Sequence, residues 1–195
     1  MLAERIEYAG FWRRFGAYWL DALIFVPPYL IAYFLLGQQF RLAPVYLFLP
    51  TQLFGLWYYV LLVARYGGTP GKLLLHTRIN MVDGSPVTLK AACLRYGVTF
   101  VVGIPVAVAA LIPTMQLTDA EYFAMSFLQR SRRIQELAPT WQPYAQWILY
   151  AWSFSEFLTM MFNERRRALH DLIGGTVVIK KWREGYAPVS EAASM

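Results

Sequence analysis

Two short stretches of this chain carry side chains able to hold or move charge. Near the start, Gly10-Phe11-Trp12-Arg13-Arg14-Phe15-Gly16-Ala17-Tyr18-Trp19-Leu20-Asp21 sets an arginine and an aspartate seven residues apart at the mouth of an apolar run. Near the end, Leu169-His170-Asp171 follows the last such run, which itself contains Glu156. Ionisable groups at membrane depth are costly, so those found there are candidates for ion or proton handling. Seven residues is nearly two helical turns, which places Arg14 and Asp21 on one face but roughly 10 Å apart along the axis. Each therefore needs a partner from another segment, and Asp171 and Arg95 are the expected ones. Desolvation and a neighbouring arginine act in opposite senses on a buried carboxylate such as Asp21 or Glu156. That balance suits proton exchange against a cation, and it equally suits a permanently ionised structural pair.

The elements that must position these residues follow from composition. With 57% hydrophobic and 17% aromatic residues against 15% charged, the 195-residue chain is far more apolar than a water-soluble domain. It reads as an integral membrane protein. The net charge of +6 is carried in short basic runs beside the apolar stretches, where topology and anionic lipid headgroups explain it and nucleic acid does not. The single Cys93 excludes an internal disulfide framework and a cysteine metal cluster.

A bilayer core needs about 20 mainly apolar residues per helix. Four spans are predicted, over 15–36, 44–64, 91–113 and 144–162. The first is not a cleavable signal, because Arg14 and Asp21 interrupt it and no small-residue cleavage site follows. Pro27-Pro28 in the first span, and Gly103 with Pro105 in the third, are expected to kink or break their helices. Such breaks either adjust packing or line a binding site. Arg5, Arg13 and Arg14, the loop 65–90 with Arg65, Lys72, Arg78 and Lys90, and the tail with Arg165, Arg166, Arg167, Lys180, Lys181 and Arg183 outnumber Arg41, Arg130, Arg132 and Arg133 on the other side. Positive residues favour the cytoplasm, which puts both termini and the middle loop there and requires an even number of spans. The expected architecture is an all-α, four-transmembrane-helix bundle with a small cytoplasmic β-hairpin and an extracytoplasmic amphipathic helix. One domain over 1–183 precedes a tail over 184–195.

Within the loop, Gly67-Gly68-Thr69-Pro70-Gly71-Lys72 is a glycine-rich turn. Its spacing does not match a nucleotide P-loop, and no strand precedes it. It reads as a re-entry turn at headgroup level centred on Gly68, Thr69, Gly71 and Lys72. His76 to Val82 reads as a strand leading into Asp83-Gly84, with Pro86-Val87-Thr88 beyond, a hairpin pattern. Thr176-Val177-Val178-Ile179 has similar strand character. Pairing of the two would bring Asp171 toward Arg14.

The outer connection 114–143 contains a predicted amphipathic helix over 120–137, capped by Thr118 or Asp119. It would anchor to the membrane or meet a partner. Trp141, Tyr144, Trp147 and Tyr150 fit an interfacial aromatic belt. Catalysis is not expected. His76 and His170 are the only histidines, and no serine or cysteine motif or metal-ligand spacing accompanies them. His170 is expected to fix the turn through hydrogen bonds, and the run Arg165 to Arg167 to anchor at the membrane surface. No cofactor and no metal is implied.

Three motifs occur together and in order: the Gly10 to Asp21 stretch, then Gly68-Thr69-Pro70-Gly71-Lys72 with Arg78-Ile79, then Arg167-Ala168-Leu169-His170-Asp171-Leu172-Ile173-Gly174-Gly175-Thr176-Val177-Val178. In these the chain resembles the RDD family of integral membrane proteins, named for an arginine and two aspartates. The resemblance implies that Arg14, Asp21 and Asp171 are the namesake residues. It raises transport as a function, since such proteins are often proposed to be transporters. Two function classes follow. One is a transporter of an ion or small solute, with proton coupling open to it, with Arg14, Asp21, Arg95, Glu156, His170 and Asp171 as its polar network and a homo-oligomeric assembly. The other is an accessory or assembly subunit of a larger membrane complex, docking through the outer helix. The inner membrane of a bacterium is the expected location, with anionic lipid headgroups meeting the cytoplasmic face.

Overall fold

A computed structural model of the chain describes residues 7–32, 36 and 39–180. Arg5, Lys181 and Arg183, the 33–35 end of the first expected span, and the 184–195 tail lie outside the described residues. The described part is mostly helical with one small sheet. In chain order the elements are α1 (Phe11–Ala32), α2 (Ala43–Leu56), a π-helical turn (Trp57–Leu61), α3 (Leu62–Tyr66), α4 (Pro70–Leu74), β1 (Thr77–Met81), α5 (Leu89–Gln116), α6 (Asp119–Ala124), α7 (Phe127–Glu136), α8 (Gln142–Phe162), α9 (Leu169–Ile173) and β2 (Thr176–Lys180).

Three of the described helical stretches are long and apolar enough to cross a membrane: Phe11–Ala32, Ala43–Tyr66 and Leu89–Gln116. Only 11%, 22% and 17% of their most apolar windows are buried inside the protein. Side chains such as Trp12, Tyr29, Leu49 and Val101 therefore point outward. So much outward apolar surface is stable against lipid and would be a liability in water. The helix expected over 144–162 forms as α8 but does not reach the same apolarity, because Gln142, Gln146, Ser153, Ser155 and Glu156 dilute it. Pro27 and Pro28 do not end α1, nor do Pro105 and Pro113 end α5. Membrane helices tolerate proline where neighbouring groups re-satisfy the freed carbonyls.

The described residues fall into two compact units, one drawn from Met1–Ile24, Gly55–Val98 and Phe154–Met195, the other from Phe25–Phe54 and Thr99–Ser153. In the first, Ala9, Val60, Val63, Ile79, Val87, Ala91, Ala92 and Val178 make a continuous buried apolar cluster. The sheet supplies its floor. β1 pairs antiparallel with β2 in the register Thr77↔Lys180, Ile79↔Val178, Met81↔Thr176. The chain at 7–9 adds a bridge on the opposite edge of β2, where Ala9 N donates to Val178 O and Lys180 N to Glu7 O, each at 2.8 Å. The expected strand pairing is thus present. The local hairpin shrinks to a turn at Asp83-Gly84 with one bridge, Asn80↔Pro86, since Pro86 lacks the N–H a second ladder needs.

The second unit is held by polar side chains as well as by packing. Arg41 donates to Asp119 Oδ1 at 2.6 Å and to the Thr114 carbonyl at 2.5 Å, and Arg130 sits 4.0 Å over the Tyr122 ring. The single helix expected over 120–137 is in fact two, α6 and α7. Thr118 caps the first with Glu121, and Ser126 caps the second with Gln129. A serine followed three residues later by glutamine is itself a helix-start signal, and here it interrupts a run of helix-favouring residues.

Candidate functional site

The polar residues of the first unit collect around the buried face of α1. Arg14, Ala17 and Asp21 recur at helical spacing on that face. Ala17 and Asp21 are buried, and the Arg14 side chain is only 11% exposed. Around them stand two separate carboxylate centres.

The first is built on Asp171, which is 0% exposed. Its position follows from α9, a short helix whose third residue it is. From there Oδ2 accepts the Ala168 N–H at 3.1 Å, the usual role of an acidic residue in a first helical turn. The same oxygen accepts from Arg14 Nη1 at 2.5 Å. Oδ1 accepts from Arg95 Nη1, and Arg95 also donates to the Thr176 hydroxyl at the head of β2. Thr176 Oγ1 lies 3.3 Å from Asp171 Oδ1. Burial works against ionisation of this carboxyl, but Arg95, His170 and Arg14 outweigh it and hold the group well below the usual carboxylate range.

Three further contacts set the frame. Arg14 donates to the Arg166 carbonyl at 2.7 Å. Arg166 itself takes a φ of 50°, a backbone region that side-chain-bearing residues rarely adopt. Arg167 donates to the carbonyls of Thr176 and Asp171 at 2.9 and 3.0 Å. Gly174 is tight, since a Cβ there would meet Arg95 Cγ at 2.6 Å.

The second centre is built on Asp21, 2% exposed. Its partners are neutral: Tyr58 OH donates to Oδ1, Thr69 Oγ1 to Oδ2 and the Gly71 N–H to Oδ1, each at 2.6 Å. The π-helical turn in the second span supplies Tyr58, and the glycine-rich turn supplies the other two. Thr69 is the residue before α4, and Pro70 takes the first helical position, where its missing N–H costs nothing. Gly71 must be glycine, because a Cβ would collide with the Ala17 carbonyl and meet Asp21 Oδ1 at 2.6 Å. Lys72 is half-buried beside this centre and donates to Thr69 Oγ1 at 3.4 Å. Burial pushes its ammonium down to about 8, with Asp21 acting in the opposite direction.

A third pair lies next to the first centre. His170 Nδ1 is 2.7 Å from Glu156 Oε1, and His170 Nε2 is 3.5 Å from Asp171 Oδ1. His170 therefore ties α8 to α9, as a turn-fixing histidine should.

Of the residues singled out from sequence, Arg14, Arg95, Asp171, His170 and Glu156 come together. Asp21 does not join them directly. Its expected partner Arg95 is spent on Asp171, because one carboxylate offers two oxygens and accommodates both guanidiniums. Gly68 is buried in the glycine-rich turn without a role at either centre. The sequence reading missed Tyr58, hidden in the aromatic run Trp57-Tyr58-Tyr59, and Thr176, read only as strand. It also missed Arg167, whose guanidinium turns inward to carbonyls rather than outward to a membrane surface; its neighbour in a first helical turn, Asp171, was the available signal.

The family model described as the RDD family matches residues 8–175, which contain every residue of both centres except Thr176. No curated protein matches the chain, and no solved structure does.

Proposed function

The chain belongs to the RDD family, and on that premise we propose that it transports an ion or small solute across the membrane, coupled to protons, and is not an enzyme. The observation that carries the reading is the Asp21 centre. A carboxylate 2% exposed, set in a membrane-spanning helix and hydrogen-bonded among the described residues only to neutral donors, has no cation bonded to it directly. Burying such a charge is expensive. A proton or a cation arriving at Asp21 relieves that cost, and this is the physical basis of a reversible site. Arg14, Arg95 and Asp171, with Glu156 and His170, form the fixed frame that holds the site's helices in place.

In this reading α8 is a fourth span, the termini and the loop 65–90 face the cytoplasm of a bacterium, and basic residues at that face meet anionic lipid headgroups. Four spans enclose little volume, so the working unit is a homo-oligomer. The test is flux in liposomes containing the purified protein. Asp21→Asn abolishes flux and leaves the size-exclusion profile unchanged; undiminished flux would reject the role of Asp21.

One observation favours a second reading, an accessory or assembly subunit of a larger complex. α7 has no buried residue and leaves Phe127 and Leu128 exposed at 67% and 59%, a face suited to a partner helix. Deleting 120–137 would then abolish assembly of that complex, and normal assembly would count against it.

A further inference from the structure

We infer that Lys72 is the group through which the Asp21 site takes up and releases its proton, with the Thr69 hydroxyl as the link between ammonium and carboxylate. The inference deepens the transport reading above and rests on it for its use. It starts from connectivity. Thr69 Oγ1 donates to Asp21 Oδ2 at 2.6 Å and accepts from Lys72 Nζ at 3.4 Å. One hydroxyl therefore stands between a cation and an anion, donating to the second and accepting from the first. The chain of atoms is held in place by the turn. Gly71 is seated against the Ala17 carbonyl and Asp21, and its N–H is bonded to Asp21 Oδ1, so Thr69 and Lys72 on either side cannot drift from α1.

The step balances by itself. An N–H bond of the Lys72 ammonium breaks and its proton passes to Thr69 Oγ1, while the Thr69 O–H proton passes to Asp21 Oδ2. Ammonium and carboxylate become amine and carboxylic acid, the hydroxyl is regenerated, and net charge is unchanged. Lys72, half-buried where Asp21 is closed off, then recovers a proton from the aqueous side. Run backwards, the same step frees Asp21 as an anion for a cation.

The surroundings make Lys72 easy to discharge. Asp21 on α1 and Asp171 on α9 favour its charged form, whereas burial, Arg95 on α5 and Arg14 on α1 oppose it. Asp171 is already engaged by two arginines, which leaves Asp21 as the anion answering to Lys72. Arginines stay charged at any working pH, so among these cations Lys72 is the one that can give up a proton.

The experiment is competitive acetylation of the detergent-purified full chain with acetic anhydride from about pH 6 to about pH 11, read by peptide mass spectrometry against an added blocked lysine with its ordinary pKa of about 10.4. At pH 8 the intrinsic reactivity of Lys72, after correction for access, should exceed that of the blocked lysine by about a hundredfold, the ratio of free amine expected from midpoints near 8 and 10.4. Asp21→Asn removes the anion that favours the ammonium, so the Lys72 midpoint moves further down. Titration of Lys72 together with the blocked lysine overturns the inference, as does a midpoint indifferent to Asp21→Asn.

Flux supplies the second arm. Lys72→Arg holds the charge but cannot release a proton, so it should abolish proton-coupled flux, and Thr69→Val should cut flux where Thr69→Ser keeps it. Flux undiminished by Lys72→Arg overturns the inference while leaving transport standing. A wild type without flux, in which Lys72 still titrates low and answers to Asp21→Asn, sinks the transport reading and supports proton exchange at Lys72.

Discussion

Two aspartates of one compact unit solve the same problem in opposite ways. Asp171 is buried with arginines on both oxygens, a backbone N–H and a threonine hydroxyl. Asp21 is buried with a tyrosine, a threonine and a glycine N–H. The first arrangement neutralises the charge with groups that cannot lose it; the second only solvates it. The difference separates structure from exchange. A carboxylate clamped by two guanidiniums is a poor place for a cation or proton to come and go, and one solvated by neutral dipoles is a good one.

The largest effect that would sharpen this contrast is Asp171→Ala. It leaves Arg14 and Arg95 facing each other without the anion, and breaking a buried pair by removing one partner costs about 3–5 kcal/mol. We expect loss of a monodisperse size-exclusion peak, whereas Asp21→Asn keeps it. If both variants behave alike, the contrast is wrong. Acid should reveal the same asymmetry. Because the Asp171 pKa is depressed by folding, its stabilisation is fully present above the unfolded value of about 4 and is lost as pH falls through the lower folded value. Thermal unfolding below pH 4 should therefore flatten in Asp171→Asn, provided that variant folds, and not in Asp21→Asn.

Next in size is Gly71→Ala, which forces α4 away from α1 against backbone and should cost about 1–3 kcal/mol in thermal unfolding and most of the flux. Tyr58→Phe removes one of three donors to Asp21 and leaves the fold intact. A loss of about 1–2 kcal/mol is expected, with a shifted pH profile of flux as the specific readout. The smallest effect belongs to Glu156→Gln. Its side chain and that of His170 are 24% and 23% exposed, and a partly solvated pair is worth about 1 kcal/mol or less. A collapse of the protein in this variant would move the frame's centre of gravity from Asp171 to α8.

Much of this was legible in the residues, for physical reasons that differ from place to place. Arg14, Asp21 and Asp171 declared themselves because charge in an apolar setting demands an explanation. The pairing of Arg14 with Asp171 followed from strand character at 76–82 and 176–179, since joining those segments brings Asp171 back toward Arg14. Arg95 was found but given the wrong duty, because sequence shows charges and not the capacity of each oxygen. Tyr58 was illegible. A tyrosine among membrane aromatics looks like an interfacial anchor, and only the wider π-helical turn and the neighbouring carboxylate distinguish it. Ser126 was legible in principle, yet the long run of helix formers around it outweighed a cap in the middle.

The sheet has a consequence in time as well as in space. Arg14 and Asp171 are 157 residues apart, and β2, which follows Asp171, must lie between β1 and the chain at 7–9. At a synthesis rate of about 5–20 residues per second, α1 waits on the order of ten seconds or more for its counter-ion to leave the ribosome. During that interval the nascent chain carries Arg14 without its carboxylate partner. The glycine-rich turn emerges far earlier than α9, so Asp21 finds its donors while Arg14 is still waiting. The solvated centre is thus the one the ribosome delivers first, and the clamped centre closes only when α9 follows.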